Sequence, residues 1–257
     1  MAEFDRLALV YDEAVASFEE EELEAVREAL HHSHCQLVLD VGVGTGRISE
    51  QLDAHYEMIG IDVSMPMLAR ARSKGIENLV LADAKYLPFR DKAFDAAILV
   101  DVLNCLDNPV TVFAQVSLAT DGRIIAIKRK YDRDGSEELD DPKFARLRNR
   151  VQGYLSESQT CPRPKSWEKE DSLVDLFPLL ERRVVSDRII VTSAESMISR
   201  LEKGAFRFTS DIPADELRYI AEQLRHEMEG TYFQRRRIRE MVVWDTRLFQ
   251  IANLPEY

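Results

Sequence analysis

Three glycines at alternate positions, directly after a short apolar run, are the residues whose spacing bears most clearly on chemistry. The run is Leu37-Val-Leu-Asp-Val41, and the glycines are Gly42, Gly44 and Gly46. Because glycine has no Cβ atom, such a loop can turn sharply and bring its backbone N–H groups against an anionic part of a ligand. A dinucleotide-binding loop has the spacing G-x-G-x-x-G, whereas the spacing here is G-x-G-x-G. The loop predicts a nucleoside-containing cofactor and leaves open which one.

Acidic residues end the apolar segments that follow the loop. Asp62 ends the second segment, about 20 residues after Gly42, where a carboxylate can accept hydrogen bonds from ribose hydroxyls. Asp83 and Asp101 end the third and fourth segments. Ligands of open α/β sheets bind beyond the carboxyl ends of the strands, so polar groups at these ends converge on one edge. That arrangement suits a single adenosine-type ligand.

Four segments then follow one another in a recognisable order and spacing: Val38-Leu-Asp-Val-Gly-Val-Gly-Thr-Gly46, Gly60-Ile-Asp-Val-Ser-Met-Pro-Met-Leu68, Ala82-Asp-Ala-Lys-Tyr-Leu-Pro-Phe89 and Phe94-Asp-Ala-Ala-Ile-Leu-Val-Asp-Val-Leu103. Together they resemble the class I S-adenosylmethionine-dependent methyltransferases over roughly residues 35 to 130. The resemblance implies a doubly wound, mostly parallel seven-stranded Rossmann-like α/β sheet with an antiparallel last strand. It also implies S-adenosylmethionine as the cofactor and methyl transfer as the activity.

For the adenosine half of the cofactor, the resemblance assigns roles at the second and third strand ends. Asp62 would bind the ribose hydroxyls, with Val63 and Met67 beside the adenine. Asp83 would accept a hydrogen bond from the exocyclic amine of the adenine, and Ala84 would offer its backbone N–H to a ring nitrogen.

For the methionine half, the resemblance implies that Asp40 and the glycine loop hold the amino acid portion. The floor of the pocket beneath the sulfonium would consist of Asp101, Val102 and Leu103. Tyr11 lies in an N-terminal segment similar to one that many relatives fold over the cofactor, near the methyl-bearing end.

Two departures from the family pattern stand out. Asn104 and Cys105 replace a pair of histidines that many relatives carry after the fourth strand, which leaves the acceptor's identity open. Thr120-Asp-Gly122 replaces a Pro-Gly-Gly before the fifth strand. The implied reaction is a direct displacement that needs alignment and desolvation rather than a metal, and no residue is identified as catalytic.

Length and pattern predict one methyltransferase domain over residues 1–257. Its predicted parts are an N-terminal helical cap at 1–34, the cofactor-binding core at 35–130, an insertion at 131–165 with a helix near 142–155, and a helical lid at 192–236. A turn at Asp121-Gly122 precedes the fifth strand. The other predicted elements are strands at 123–127, 183–191 and 241–251, and helices at 18–30, 65–74, 167–180, 194–203 and 213–228.

The predicted lid and insertion supply candidate acceptor-site residues. Candidate pocket walls are Trp167, Phe206, Phe208 and Tyr232, and candidate anchors for a carboxylate or phosphate are Arg200 and Arg207. Ordinary packing and solvated surface charge explain these side chains at least as simply. The cluster Arg235-Arg-Arg-Ile-Arg239 is interpreted as surface pairing with nearby glutamates, and His31-His-Ser-His34 as a solvated helix end.

Composition narrows the class of partner. The net charge of −12 argues against a nucleic-acid substrate, because phosphate contacts require a basic face. The three cysteines have no metal or redox spacing, and the N-terminus has no signal-peptide pattern, so a cytoplasmic location is expected, without a membrane partner. The oligomeric state is left open.

Three hypotheses about function remain. The leading one is methyl transfer to a small-molecule acceptor. The second is a methyltransferase acting on protein or RNA, which would need a basic face assembled from Arg146, Arg148, Arg150 and the 235–239 cluster. The third is an S-adenosylmethionine-binding module without catalysis, in which Asn104 and Cys105 mark a lost acceptor site.

Overall fold

The described residues include one mixed β-sheet. The computed structural model describes residues 2–8, 10–14, 18–31, 35–130, 149, 151, 153, 173–174, 176–206, 209 and 212–249. The strands are β1 (Leu37–Val41), β2 (Glu57–Asp62), β3 (Leu79–Leu81), β4 (Phe94–Val100), β5 (Thr120–Arg129), β6 (Leu179–Ser193) and β7 (Tyr232–Asp245). The helices are α1 (Ala2–Leu7), α2 (Tyr11–Ala14), α3 (Glu20–His31), α4 (Ser49–Leu52), α5 (Met65–Ser73), α6 (Pro109–Ala119), α7 (Ala194–Glu202) and α8 (Ala214–Glu227).

The strand order confirms the predicted fold class. The described strands form one seven-stranded sheet in the order β3-β2-β1-β4-β5-β7-β6. The first five strands pair in parallel, and β7 runs antiparallel to β5. After β3 the chain returns to the other side of β1, so the order reverses between β1 and β4. In doubly wound sheets a crevice opens at such a reversal, and ligands bind there.

Two compact units make up the chain. The larger contains Phe18–Lys130, Lys165–Ser186 and Ile238–Tyr257, and the smaller contains Met1–Ser17, Tyr131–Pro164 and Asp187–Arg237. The prediction of a single functional domain with a cap, core, insertion and lid stays a prediction.

Side chains that point alternately to the two faces of the central strands form two apolar cores in the larger unit. Val38 of β1 packs in the cluster that contains α3, whereas its neighbour Leu39 packs in the cluster that contains α6. In β4, Ile98 and Leu99 divide in the same way. Because successive strand residues face opposite sides, a sheet covered by helices on both faces requires near-continuous apolar strands. This burial fixes the strand ends, and with them the edge where the polar residues lie.

A third apolar cluster belongs to the smaller unit. Met197, Ile198 and Leu201 of α7 are buried in it with apolar residues of α8, among them Leu217 and Ile220. The two helices agree with those predicted near 194–203 and 213–228 to within about a turn.

Several predicted boundaries were wrong. The predicted turn at Asp121-Gly122 lies inside β5, where the pairing with β4 shifts register between Phe94 and Ala96. Strand β7 begins at Tyr232 rather than at residue 241, so the last part of the predicted lid is strand. The helix predicted to end at residue 180 stops earlier, because β6 begins at Leu179. Helix α6 was not predicted, although Asn108 and Pro109 carry an N-terminal helix signal.

Some predictions fall outside the described residues. These include most of the predicted insertion, together with Trp167, Arg207, Phe208, Arg146, Arg148 and Arg150, and residues 250–251 of the predicted closing strand. The end predicted for that strand was wrong, because β7 ends at Asp245 and a 3₁₀ turn follows at Thr246–Leu248. Residues 149, 151 and 153, which lie within the helix predicted there, are helical. Across the described ranges, no helix combines the length and the apolar character that a membrane span requires.

Candidate functional site

The glycine loop is bound to the neighbouring strand β2. Gly42, Gly44 and Gly46 have φ angles of 72°, 55° and 78°, in the left-handed region that glycine adopts without strain. The backbone N–H groups of Gly42 and Val43 both donate to the carbonyl of Ile61, each at 2.9 Å. The N–H of Gly44 donates to Oδ2 of Asp62 at 3.0 Å. The loop and the end of β2 therefore form one hydrogen-bonded unit.

The surroundings of the three glycines differ. A Cβ atom on Gly42 would lie 2.6 Å from Cγ2 of Val102, and one on Gly46 would lie 3.1 Å from Cβ of Ala71. A Cβ atom on Gly44 would meet only the carbonyl oxygen of Gly42, at 3.9 Å. Close packing thus requires glycine at positions 42 and 46, whereas the backbone of Gly44 borders open space that a ligand can enter.

Asp62 lies at the carboxyl end of β2 with both carboxylate oxygens engaged by backbone. Oδ2 accepts from Gly44, and Oδ1 accepts from the N–H of Ser64 at 2.9 Å. Each oxygen of an ionised carboxylate can accept more than one hydrogen bond, so this carboxylate keeps acceptor capacity for ribose hydroxyls. The two bonds fix its orientation, and its predicted contact with ribose stays a prediction.

Asp83 lies on the same edge, two residues beyond β3. The N–H of Ala82 donates to the carbonyl of Asp62 at 3.0 Å, which ties the ends of β2 and β3 together. Oδ1 of Asp83 accepts from the N–H of Lys85 at 2.9 Å, and the Asp83 side chain is 43% exposed. Val63 is also partly exposed here. The two acids predicted to hold the adenosyl group therefore end neighbouring strands at one sheet edge.

Three other residues predicted to bind the cofactor have different surroundings. Ala84 is partly exposed next to Asp83. Met67 is buried within α5, so little of its side chain is accessible beside an adenine. Leu103 is buried too, and it packs in the core cluster that contains α6. Their contacts with a cofactor stay predictions.

Asp40 lies behind the glycine loop. Its side chain is buried and accepts a hydrogen bond from Oγ of Ser49, the first residue of α4, at 2.7 Å. Burial raises the pKa of Asp40 to about 7. The hydrogen bond from Ser49 lowers this pKa, and the negative charge of Asp62 raises it further. The carboxyl group thus joins β1 to α4, and its predicted contact with the methionine portion is not tested by this geometry.

Asp101 follows β4 and is held by an ion pair. Its φ is 56°, and its N–H donates to the carbonyl of Ile127 at 3.1 Å. Its carboxylate pairs with Arg239 of β7. The Nε atom of Arg239 also lies 3.5 Å from Oε2 of Glu22. Burial alone would raise the pKa of Asp101, but the charge and hydrogen bond of Arg239 outweigh it and lower that pKa; Arg129 and Arg47 add to the lowering. The group is therefore ionised at neutral pH.

The Glu22–Arg239–Asp101 triad was missed by the sequence analysis. Arg239 was interpreted as a surface residue pairing with nearby glutamates, and this was wrong because Arg239 and Glu22 are buried. The error follows from the late start predicted for β7, since Arg237, Arg239 and Met241 alternate on a strand and are all buried. Within the 235–239 cluster, Arg236 does lie near the surface, where it donates two hydrogen bonds of 2.7 Å each to Asp187.

The predicted acceptor-site residues that the structure describes lie in the smaller unit. The guanidinium carbon of Arg200 is 5.1 Å from the ring centroid of Phe206, a cation–π contact. Tyr232 is largely exposed, and Tyr11 is half-buried in α2. Roles for these four residues at the methyl acceptor or the cofactor stay predictions. His31 is an exposed residue at the end of α3, and the part of the chain that the structure describes contains no His, Cys, Asp or Glu cluster arranged for a metal ion.

These observations describe an α/β protein whose strand order reverses between β1 and β4, with a glycine loop and acidic strand ends along one edge of the sheet. Comparison with known sequences narrows the class. Residues 39–125 match the family described as a methyltransferase domain. The uncharacterised protein MJ1252 of Methanocaldococcus jannaschii is 35% identical over 97 residues, which cover 37% of this chain and 37% of that protein.

Two further relatives have named activities. The 18S rRNA (guanine(1575)-N(7))-methyltransferase of Saccharomyces cerevisiae is 36% identical over 34% of this chain and 33% of its own length. The phosphatidylethanolamine N-methyltransferase of Cereibacter sphaeroides is 36% identical over 38% of this chain and 52% of its own length. The chain spans about a third to a half of the length of these curated relatives.

Solved structures share the fold over most of the chain. A candidate type II methyltransferase from Anaeromyxobacter dehalogenans aligns with a TM-score of 0.58 at 16% identity, over 90% of this chain and 98% of its own. The YcgJ protein of Bacillus subtilis aligns with a TM-score of 0.53 at 18% identity, over 86% and 97%. Over residues 39–125 the chain therefore resembles the class I S-adenosylmethionine-dependent methyltransferase family, and the solved structures show that it shares the fold.

The described residues fit the cofactor of that family. The space beside Gly44 is open, and a fixed carboxylate, Asp62, borders it. Asp83 presents a partly exposed carboxylate at the neighbouring strand end. S-adenosylmethionine carries hydroxyl and amine donors for these acids and a positive charge compatible with an acidic edge.

Proposed function

We propose that the chain transfers the methyl group of S-adenosylmethionine to a small-molecule acceptor by direct displacement. The observation that carries the proposal is the open space at Gly44, which the carboxylate of Asp62 borders, with the carboxylate of Asp83 at the end of the next strand. The net charge of −12 supports a small acceptor over a nucleic acid.

The residues of the chain act mainly by binding and positioning. S-adenosylmethionine, when bound, supplies a methyl group activated on a sulfonium. Asp62 and Asp83 would hold the ribose and the adenine, while the backbone around Gly44 would lie against the rest of the cofactor. Such positioning converts an encounter of two molecules into a reaction within one complex, and exclusion of water from the β1–β4 crevice would favour loss of the sulfonium charge.

Other functions remain open to test. The names of the relatives include an RNA and a lipid methyltransferase, so an RNA, protein or lipid acceptor is the alternative substrate class. A module that binds the cofactor without catalysis is the third possibility, since Asn104 and Cys105 follow β4 in place of two histidines. We also propose a cytoplasmic location, supported by Cys35 and Cys105, neither of which forms a disulfide among the described residues; cell fractionation would test it.

The cofactor site can be tested with a pair of glycine variants. Gly44 and Gly75 both have positive φ angles, and a Cβ atom on Gly75 would meet nothing within 4 Å. Backbone strain should cost about 1 kcal/mol in G44A and at least as much in G75A, because φ is 55° at Gly44 and 96° at Gly75. Isothermal titration with S-adenosylhomocysteine should show at least roughly tenfold weaker binding for G44A only, because its methyl group enters the ligand space. Absence of binding to the folded wild-type protein would refute the cofactor proposal.

The acceptor class needs a separate experiment. Methyl-labelled S-adenosylmethionine, incubated with the protein and extracts separated into metabolites, RNA, protein and lipid, should deliver label to the metabolite fraction. Label in one of the macromolecular or lipid fractions would replace the small-molecule proposal. Cofactor binding without transfer to any fraction would favour the non-catalytic module.

A further inference from the structure

We propose that the carboxylate of Asp101 selects the positively charged cofactor over its uncharged product, and that Arg239 and Glu22 position Asp101 for this task. The inference rests on the proposed function and adds to it a residue that distinguishes substrate from product. A methyltransferase converts a sulfonium into a neutral thioether, so a fixed negative charge near the sulfur favours binding of the reactant and release of the product.

The strand order puts Asp101 at the end of β4, across β1 from the two acids proposed to hold the adenosyl group. Asp83 follows β3 and Asp62 ends β2, so an adenosyl group held there would direct its remaining atoms toward β1 and β4. Gly42 follows β1, and Asp101 follows β4. The side chain of Val102 lies so close to Gly42 that a Cβ atom there would be 2.6 Å from it. Asp101 thus borders the crevice on the side opposite the two adenosyl-binding acids.

The triad holds a negative charge at this point. The side chains of Arg239 and Glu22 are 4% and 2% exposed, whereas that of Asp101 is 26% exposed. One buried guanidinium is therefore shared by two carboxylates, and the more exposed carboxylate belongs to Asp101. Glu22 is further fixed by a hydrogen bond of 3.0 Å from Oγ of Ser186. Oriented charges of this kind interact strongly because no reorganisation is needed when the ligand binds.

The backbone of Asp101 is held in a left-handed conformation. A non-glycine residue with φ of 56° is uncommon, and such conformations persist where surrounding contacts enforce them. The bond from its N–H to the carbonyl of Ile127 and the pair with Arg239 provide that enforcement. Arg129 and Arg47 also act on Asp101 electrostatically. Their charge lowers the overall preference for a cation, so the contribution of Asp101 must be measured by changing Asp101 alone.

The effect of the Asp101 charge can be measured with two ligands that differ in charge at the position of the sulfur. Sinefungin carries a protonated amine where S-adenosylmethionine carries its sulfonium, and S-adenosylhomocysteine is uncharged there. Titration of Asp101→Asn with both ligands should show roughly tenfold weaker binding of sinefungin and affinity for S-adenosylhomocysteine within about twofold of the wild type. Asp83→Asn is the matched control, because it should weaken both ligands equally through the shared adenine. Retained binding of S-adenosylhomocysteine also shows that the Asn variant is folded.

The outcomes separate the two proposals. If Asp101→Asn changes both affinities equally, or neither, the charge-selection inference is wrong while the cofactor site stands. If the wild-type protein does not bind S-adenosylhomocysteine, the proposed function itself fails. For the positioning role, Arg239→Lys keeps the charge but loses the shared guanidinium geometry. It should reduce the ratio of sinefungin to S-adenosylhomocysteine affinity, whereas a lower melting temperature with an unchanged ratio would show a structural role only.

Discussion

At the scale of the residue, the three glycines of the loop are needed for different reasons. Gly42 and Gly46 are needed because Val102 and Ala71 lie close to them, and Gly44 because a ligand can approach it. The spacing G-x-G-x-G indicates a loop of this kind, but it cannot show which glycine borders the ligand. That distinction depends on Val102, which is distant in sequence and adjacent in space.

Gly42→Ala should cause a large loss of stability. Its φ of 72° and the 2.6 Å approach to Val102 combine backbone strain with overpacking, for an expected cost of about 2–4 kcal/mol. Urea denaturation measures the change. Adding Val102→Ala should recover the part that comes from the clash. A cost no greater than that of Gly75→Ala would show that the contact does not constrain the loop.

Asp40 should make the stability of the ligand-free protein depend on pH. Because its pKa is raised to about 7, the folded protein retains a proton that the unfolded chain has released above the ordinary value of 3.8. The contribution to stability is therefore present below that value and lost as pH rises through about 7. Asp40→Asn should remove this loss and be more stable than the wild type at pH 8, by roughly 2–4 kcal/mol.

The measurement is a set of denaturation curves for both proteins between pH 5 and 8.5. The stability difference should grow with pH and level off above about 7. A difference that stays constant over this range would show that Asp40 has an ordinary pKa in the folded protein.

At the scale of the element, caps and strand alternation decide where the site residues lie. Ser64 caps α5 with Oγ, which accepts from the N–H of Met67 at 3.4 Å, while its own N–H binds Asp62. A single serine thus starts a helix and orients a site carboxylate. Strand β7 brings Arg239 into the core, and a charged run therefore supplies a buried residue.

Asn108→Ala should weaken α6 without affecting the site. Oδ1 of Asn108 accepts from the N–H of Thr111 at 3.2 Å, and the residue is exposed. Loss of this cap should cost about 1 kcal/mol, and Asn108→Asp should retain the stability because aspartate caps equally well. Thermal unfolding and titration with S-adenosylhomocysteine together test this. Weaker ligand binding by the Ala variant would show that α6 takes part in positioning the site.

At the scale of the whole molecule, net charge is the property that most restricts the acceptor. A chain with a charge of −12 repels polyanions unless a local basic face overcomes that repulsion. In the regions that the structure describes, Arg236 and Arg239 are paired with acids, which removes two cations from such a face.

The protein should therefore bind RNA weakly and without a strong salt dependence. Fluorescence anisotropy with a labelled RNA oligonucleotide between 50 and 200 mM salt should show no saturation, with a basic protein of similar size as the positive control. A linear fall of the logarithm of the binding constant with the logarithm of salt concentration would show phosphate contacts and favour an RNA substrate.

Local patterns in the sequence determined the core of the fold. Apolar runs ended by Asp62, Asp83 and Asp101, together with the glycine spacing, predicted a polar edge of an α/β sheet, and the resemblance of four segments to known methyltransferases implied the rest of the sheet and the family. These features depend on strand periodicity and backbone conformation, which are properties of neighbouring residues.

Only the tertiary structure decided how distant residues meet. The pairing of Asp101 with Arg239 and Glu22, the buried state of Asp40 and the packing of Val102 on Gly42 each join segments far apart in the chain. Burial and ion pairing depend on which elements pack together, so a charged side chain in a linear sequence can be read as solvent-exposed until its partner is placed beside it.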